Sequence, residues 1–280
     1  MKFILAISGG IDSVVLLDDF DAKHHGEYAV AHFDHGMRPS ASTDAEFVRK
    51  KAEQLGARFY LDEGHLGASA SEAEARDARY KFLREVAKKE GGKIVTAHHL
   101  NDLAETIAIN LLRGTGWRGL APFSNDILRP FVFGENALTK FDIYRIASEK
   151  GLSFRQDPTN NEDKYLRNRL RERIFESFSA SDYSKLAGLF EKQTKIRKEV
   201  EKLVVEILPE DGRFKRSWFF ELDDDTAMEI LRAGLARAGA SLTRPQLMDF
   251  LRAIRQYMPG KKFNLPGGKL VTLHKDFFVL

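Results

Sequence analysis

Phe3-Ile4-Leu5-Ala6-Ile7-Ser8-Gly9-Gly10-Ile11-Asp12-Ser13-Val14-Val15-Leu16-Leu17 is the stretch whose reading decides the fold. Its first five residues are apolar without alternation, the pattern of a short strand buried on both faces of a parallel sheet. Two glycines then permit a tight turn and close approach of the backbone to a ligand. Val14 to Leu17 continue as a helix, whose first amides and dipole favour an anion. Strand, glycine turn and helix predict a phosphate loop built from Ser8, Gly9, Gly10, Ile11, Asp12 and Ser13. The Gly-x-x-x-x-Gly-Lys-Ser/Thr pattern is absent, and no lysine stands in the loop to reach outer phosphates. From these residues alone, an ordinary turn in which Ser8 or Asp12 caps the helix fits as well.

Working outward, apolar runs alternate with helical periods. Tyr28-Ala29-Val30-Ala31-His32-Phe33, Arg58-Phe59-Tyr60-Leu61 and Ile94-Val95-Thr96-Ala97 read as further strands. A helix is expected from near Thr43, with Glu46 completing a capping box, and another from Ser69 to about Lys89 with Ala75, Ala78, Phe82 and Val86 on one face. This alternation predicts an α/β fold, a parallel sheet with helices on both faces, whose ligands gather at the carboxyl ends of the strands. Ser8 and His98 then share one edge.

His98-His99-Leu100-Asn101-Asp102-Leu103-Ala104-Glu105-Thr106 sits where the fourth strand hands over to a helix. Leu103, Ile107 and Leu111 recur every four residues and are expected to face the core, which groups Asp102, Glu105 and Thr106 on another face. Asp102 reads equally as an N-cap with Glu105 closing the box. With no cysteine or third histidine nearby, the histidines suit a polar pair at a strand end better than a metal site. Magnesium held by a carboxylate and substrate phosphates suits this edge. Further on, Arg113-Gly114-Thr115-Gly116 is a glycine-rich exit, and a helix from about Thr139 to Lys150 is expected to pack on Phe141, Ile143, Tyr144 and Ile146. Lys164 to Arg173 opens an arginine-rich helix in which Arg167 and Arg171 lie one turn apart, as do Arg169 and Arg173, so one pair can reach phosphate.

Composition sets the outer bounds. With 280 residues and 43% hydrophobic content, the chain can fill one large domain and a smaller one. Its 44 basic and 41 acidic residues nearly balance, so any nucleic-acid surface is local. The chain contains no cysteine, which rules out disulfides, thiolate metal sites and a cysteine persulfide of its own. No apolar run reaches the length of a membrane span, so no membrane association and a cytoplasmic location are expected. A long mixed-charge helix from Ser184 to Leu208, broken at Pro209-Glu210-Asp211-Gly212, reads as a linker. The expected division is a catalytic domain over 1–180, a helical linker over 181–212 and a small α+β domain over 213–280. In the last, Pro266-Gly267-Gly268 suggests a hairpin, and Arg244, Arg252, Arg255, Lys261 and Lys262 form a scattered basic set.

Taken in order, several motifs resemble the tRNA(Ile)-lysidine synthetase family of PP-loop ATP pyrophosphatases. They are Ser8-Gly-Gly-Ile-Asp-Ser13, Arg76-x-x-Arg79-Tyr80, His98-His99 to Thr106, Arg113-Gly-Thr-Gly, Arg129-Pro130, and Asp157-Pro-Thr-Asn with Arg167-Asn168-Arg169-x-Arg171. The resemblance is close over roughly the first 180 residues and weaker beyond. It departs at Asn101 and Leu103, where the family pattern reads Asp-Asp-Gln-Ala-Glu-Thr. The resemblance implies ATP-dependent ligation of L-lysine to carbon 2 of the wobble cytidine of a CAU-anticodon tRNA(Ile), through an adenylated cytidine, with AMP and pyrophosphate as coproducts. It implies ATP bound by Ser8 to Ser13 and His98, chemistry by Asp12, Arg79, Asp102 and Arg169, and Mg2+ on Asp12 and Asp102. tRNA contacts are expected from Arg167, Arg171, Arg244 and Arg252, and a homodimer is an assembly the reading allows. A PP-loop thiolase and a nonreacting nucleotide- or tRNA-binding module are the competing readings.

Overall fold

The computed structural model describes residues 2–34, 41–64, 72–123, 126–155, 170 and 177–280. By backbone contacts the chain divides into two units, Met1–Glu191 and Lys192–Leu280. The boundary falls inside one long helix, α6 (Ala180–Ile207). Tyr183 and Phe190 in its first half are buried in a core of the first unit, while Val204 packs on the core of the second.

In the first unit, β1 (Lys2–Ala6), β2 (Tyr28–Asp34), β3 (Arg58–Glu63), β4 (Gly92–Val95) and β5 (Ile127–Leu128) form one sheet in the order β3-β2-β1-β4-β5. Every pairing is parallel. Between the strands run α1 (Ile11–His24), α2 (Ala41–Gln54), α3 (Glu72–Glu90) and α4 (Leu100–Leu112), and α5 (Lys140–Glu149) follows β5. Because successive strand residues point to opposite faces, the apolar runs split into two cores. Leu5, Val30 and Val95 pack with α1, α2 and α5, whereas Ile4, Ala29, Ala31 and Ile94 pack with Tyr80, Leu83 and Val86 of α3. The expected fold of parallel strands with helices on both faces is what the chain adopts.

Helix α2 starts at Ala41, close to the expected start near Thr43. Two local expectations need correction. Leu103 and Ile107 are buried, but Leu111 in the last turn of α4 is 59% exposed, beyond the cluster formed with Phe123 and Phe190. In α5 the buried stripe is Ile143 and Ala147 with Ile146 beside it, and Phe141 and Tyr144, outside that stripe, are exposed. The loop from His35 to Ser40, the start proposed at Ser69, the Gln156 to Asn160 turn and the helix opening at Lys164 lie outside the described residues.

The second unit has its own core, centred on Phe214, Phe219, Phe250 and Phe278. Strand β6 (Arg213–Lys215) pairs antiparallel with β9 (Phe277–Val279), and β7 (Lys262–Asn264) pairs antiparallel with β8 (Leu270–Thr272) across a turn at Pro266–Gly268. Helices α7 (Arg216–Glu221), α8 (Asp224–Arg237) and α9 (Arg244–Gln256) complete it. The β7-β8 hairpin was expected from Pro-Gly-Gly, whereas the pairing of β6 with the last strand has no sequence signal. Arg216 is buried and donates to the carbonyls of Ile254, His274 and Tyr257, which ties α7 to α9 and to the loop before β9.

Candidate active site

Strands β1 and β4 are neighbours, so the segments leaving their carboxyl ends, Ser8–Ser13 and His98–Asp102, emerge side by side. Parallel sheets of this kind bind ligands at such an edge.

The loop is held from within. Helix α1 starts after Gly10 with no side chain capping it, so neither Ser8 nor Asp12 does the work of a cap. The first amides of an α-helix have no partner within the helix, which suits them to an anion. Gly9 has a φ of +89°, a conformation that glycine adopts without a Cβ penalty, and its carbonyl accepts from the Arg155 amide at 2.9 Å. Ser13 is 4% exposed; its hydroxyl accepts the amides of Ser8 and Gly9 at 3.2 and 3.1 Å and donates to the Gly10 carbonyl at 2.8 Å. Ser13 therefore fastens the loop. Ile11 is a core residue, and Ser8 is the exposed hydroxyl.

Asp12 is the loop's partly exposed carboxylate. Its Oδ1 accepts from Lys140 Nζ at 2.5 Å and lies 3.7 Å from His99 Nε2. That same His99 nitrogen lies 3.5 Å from Asp102 Oδ2. A buried imidazole thus stands between the two carboxylates expected to act here. His99, not Asp102, is the N-cap of α4; Asp102 is three residues on and accepts the His99 backbone amide at 3.0 Å, while Glu105 is fully buried. Among the described residues no group of three His, Asp or Glu could hold a metal. A cation here would rely on one or two carboxylates with substrate oxygens, the usual habit of magnesium.

His98 has its Nδ1 at 2.7 Å from Thr96 Oγ1, with its ring 5.7 Å from that of Phe123. Burial pushes its pKa well below the ordinary value, and the charges of Arg129, Arg79 and Arg76 push the same way against the pull of Asp102. It is a neutral imidazole at pH 7. Arg79 and Arg76 each stand over the Tyr80 ring at 5.2 Å, and Arg129 is buried 4.4 Å above the Phe123 ring with an N–H on the Ile127 carbonyl.

Asn101 does not face this edge. It is 1% exposed, its Oδ1 accepts the backbone amide of Lys140 at 2.8 Å, and its Nδ2 lies 2.5 Å from the Tyr183 hydroxyl. The departure from the family pattern at Asn101 therefore falls on a buried strut, which reaches the Asp12 edge only through the backbone of Lys140. Lys140 and Asn101 are the residues that sequence reasoning missed in these roles; Lys140 reaches Asp12 from 128 residues away, and its position at the first turn of α5 carried no mark.

Of the remaining expected residues, Arg167, Arg169 and Arg171 lie outside the described residues. Arg244 and Arg252 belong to the second unit, where they pair with Asp225 at 2.9 Å and Asp249 at 3.3 Å, and Arg255 pairs with Asp224. A cavity of about 140 Å³ lined by Lys2, Tyr28, Arg58 and Glu90 lies at the amino ends of β1 to β3, the wrong end of a parallel sheet for such chemistry. No described helix is long and apolar enough to cross a membrane.

The chain is similar to several known proteins. The tRNA(Ile)-lysidine synthase of Thermus thermophilus is 33% identical over 285 residues, covering 95% of this chain and 54% of the relative. That of Thermosipho africanus is 36% identical over 190 residues, covering 63% and 44%, and that of Parasynechococcus marenigrum is 28% identical over 287 residues, covering 95% and 84%. The chain spans about half the length of the first two. Among solved structures, the U34-tRNA thiolase NcsA from Methanococcus maripaludis, with its 4Fe-4S cluster, overlaps at a TM-score of 0.56 and 14% identity, covering 71% of this chain and 73% of that one, a likeness of fold alone. Residues 1–178, which carry the whole of the Ser8–Ser13 loop and the His98–Asp102 edge, match the family described as PP-loop domain, and the chain belongs to that family.

Proposed function

We propose that this chain ligates L-lysine to the wobble cytidine of a CAU-anticodon tRNA(Ile) at the expense of ATP. The observation that carries the reading is the juxtaposition of an uncapped glycine loop with the Asp102 edge of α4, in a chain that aligns along 95% of its length with the tRNA(Ile)-lysidine synthase of Thermus thermophilus. The cytidine O2 attacks the α-phosphorus of ATP and pyrophosphate leaves; the lysine ε-amine then attacks carbon 2, and AMP departs with the oxygen. The Ser8 hydroxyl and the amides at the start of α1 would receive phosphate, while the Ser8 and Gly9 amides stay bonded to Ser13. Asp12 and Asp102 fit magnesium by donor type, and bound there the ion would draw charge from the phosphate oxygens. Arg79 would offset the charge that builds at the reacting phosphate, and Arg169, with Arg167 and Arg171, would meet the tRNA backbone. Asp102, beside the neutral His98 and the buried His99, is the carboxylate for the reacting amine. The absence of cysteine weighs against a thiolase, whose sulfur would need a carrier.

The test is incubation of the protein with ATP, magnesium, labelled lysine and tRNA. Label should enter tRNA(Ile) of CAU anticodon with release of AMP and pyrophosphate and no ADP, and it should survive mild alkali because a carbon–nitrogen bond holds it. Alkali-labile lysine, or equal labelling of tRNAs with other wobble bases, would refute the assignment.

A further inference from the structure

We propose that Lys140 supplies the phosphate-neutralising cation that the loop itself lacks, and that it binds the outer phosphates of ATP; this rests on the reading that the site takes ATP. A loop of amides and hydroxyls can cradle a triphosphate but brings no full positive charge to it. Lys140 Nζ is 2.5 Å from Asp12 Oδ1, at the loop, and its side chain is 19% exposed. An ammonium has three N–H donors, and Asp12 is its one hydrogen-bonding partner among the described residues. Two donors are left for phosphate oxygens, at the mouth of the open helix end.

The base of this lysine is fixed with more care than a surface counter-ion requires. Its own amide is held by buried Asn101, and the residue before it, Thr139, caps α5 in a reciprocal box with Asp142. One residue earlier, the Leu138 carbonyl accepts the Leu100 amide at 2.9 Å, so the start of α5 is bonded twice to the start of α4. A compact ammonium on a fixed base is suited to a phosphate as a point charge. Without ligand, the same ammonium balances Asp12; with a triphosphate in place, it would be shared with the phosphate oxygens.

The competing account is that Lys140 only balances Asp12, and a double-mutant cycle separates the two. Binding of ATP, of AMP and of inorganic pyrophosphate, with magnesium present, would be measured by calorimetry on the full chain. The variants are Lys140→Met, Lys140→Arg, Asp12→Asn and the double Asp12→Asn with Lys140→Met. Loss of a charge-assisted contact should weaken ATP and pyrophosphate binding about tenfold to hundredfold in Lys140→Met. AMP, which lacks the outer phosphates, should change by less than about twofold, and Lys140→Arg should keep most of the ATP affinity. In the double variant ATP should bind more weakly than to Asp12→Asn alone by a similar factor. Lys140→Met binding ATP like wild type, or a double variant matching Asp12→Asn, would overturn the proposal. Should Lys140→Met melt early, Lys140→Gln, which keeps a donor for Asp12, carries the same comparison. Neither lysine nor tRNA is present in this assay, so its failure leaves the ligation reading standing, and failure of labelled-lysine transfer leaves these affinities measurable.

Discussion

Truncating Asn101 to alanine removes the strut that joins three segments of the first unit. The side chain is 1% exposed and bonds the Lys140 amide at 2.8 Å and the Tyr183 hydroxyl at 2.5 Å. Tyr183 is itself buried, and burial pushes its pKa up with the Glu105 charge acting the same way, so water does not readily replace the lost partner. A buried polar group left without a partner costs about 1–3 kcal/mol, and two are stranded. With partial relaxation the loss should be about 2–5 kcal/mol. For a unit of this size that corresponds to a fall in Tm of about 5–15 °C. The chain has two tryptophans, Trp117 in the first unit and Trp218 in the second. In a Trp218→Phe background, fluorescence-detected guanidinium unfolding therefore follows the first unit alone. Tyr183→Phe should cost less, and the two changes together less than their sum, because they share one bond. Asn101→Asp should also destabilise at neutral pH: both partners can donate to a carboxylate, but a charge would be buried near Glu105. That carboxylate's folded pKa would be raised, so the lost stability should return as pH falls. A loss below about 0.5 kcal/mol for Asn101→Ala would refute the strut.

Ser13→Ala should lower the first unit's stability by about 1–3 kcal/mol, since the buried Gly9 amide loses its acceptor; an unchanged melt would show that Ser13 does not fasten the loop. Gly234→Ala should destabilise the second unit by about 1–3 kcal/mol despite alanine's better helix propensity, because the new Cβ would stand 2.6 Å from Phe214 Cζ; the Trp218 signal of a Trp117→Phe background reads this out, and a stabilised variant would show that the core gives way. Glu90 is held by Lys2, Tyr60 and Arg58, which bring its carboxyl from an ordinary 4.5 down to about 2. A depressed folded pKa contributes stability that is present above the unfolded value and is lost as pH falls through the folded one. Glu90→Gln should thus destabilise at neutral pH and flatten the stability profile between about pH 4.5 and 2, measured by urea unfolding; an unaltered acid slope would count against these contacts.

What was legible in the sequence is what neighbouring residues decide. An unalternating apolar run ending in Ser8-Gly9-Gly10 specified a buried parallel strand and the turn at its carboxyl end, and the alternation of strands with helical periods specified the layered sheet and the edge shared by Ser8 and His98. Other features were decided only when distant segments met. The two residues of β5 are too few to form a pattern, and β9 is recognisable only by its pairing with β6. Periodicity predicts which residues of a helix share a face but not how far a neighbouring layer extends, so Leu111 fits the stripe of Leu103 and Ile107 and yet stays exposed. The hydroxyl of Ser13 could point to a ligand or back into the loop, and only the folded turn chooses. Lys140 and Asn101 show the limit most plainly. One brings a charge to the loop from 128 residues away, the other holds it in place, and both act because the chain sets β4 beside β1 and bonds the start of α5 to the start of α4. Local sequence carries propensity and pattern; the meeting of groups remote along the chain is a property of strand order and packing, which only the tertiary structure supplies.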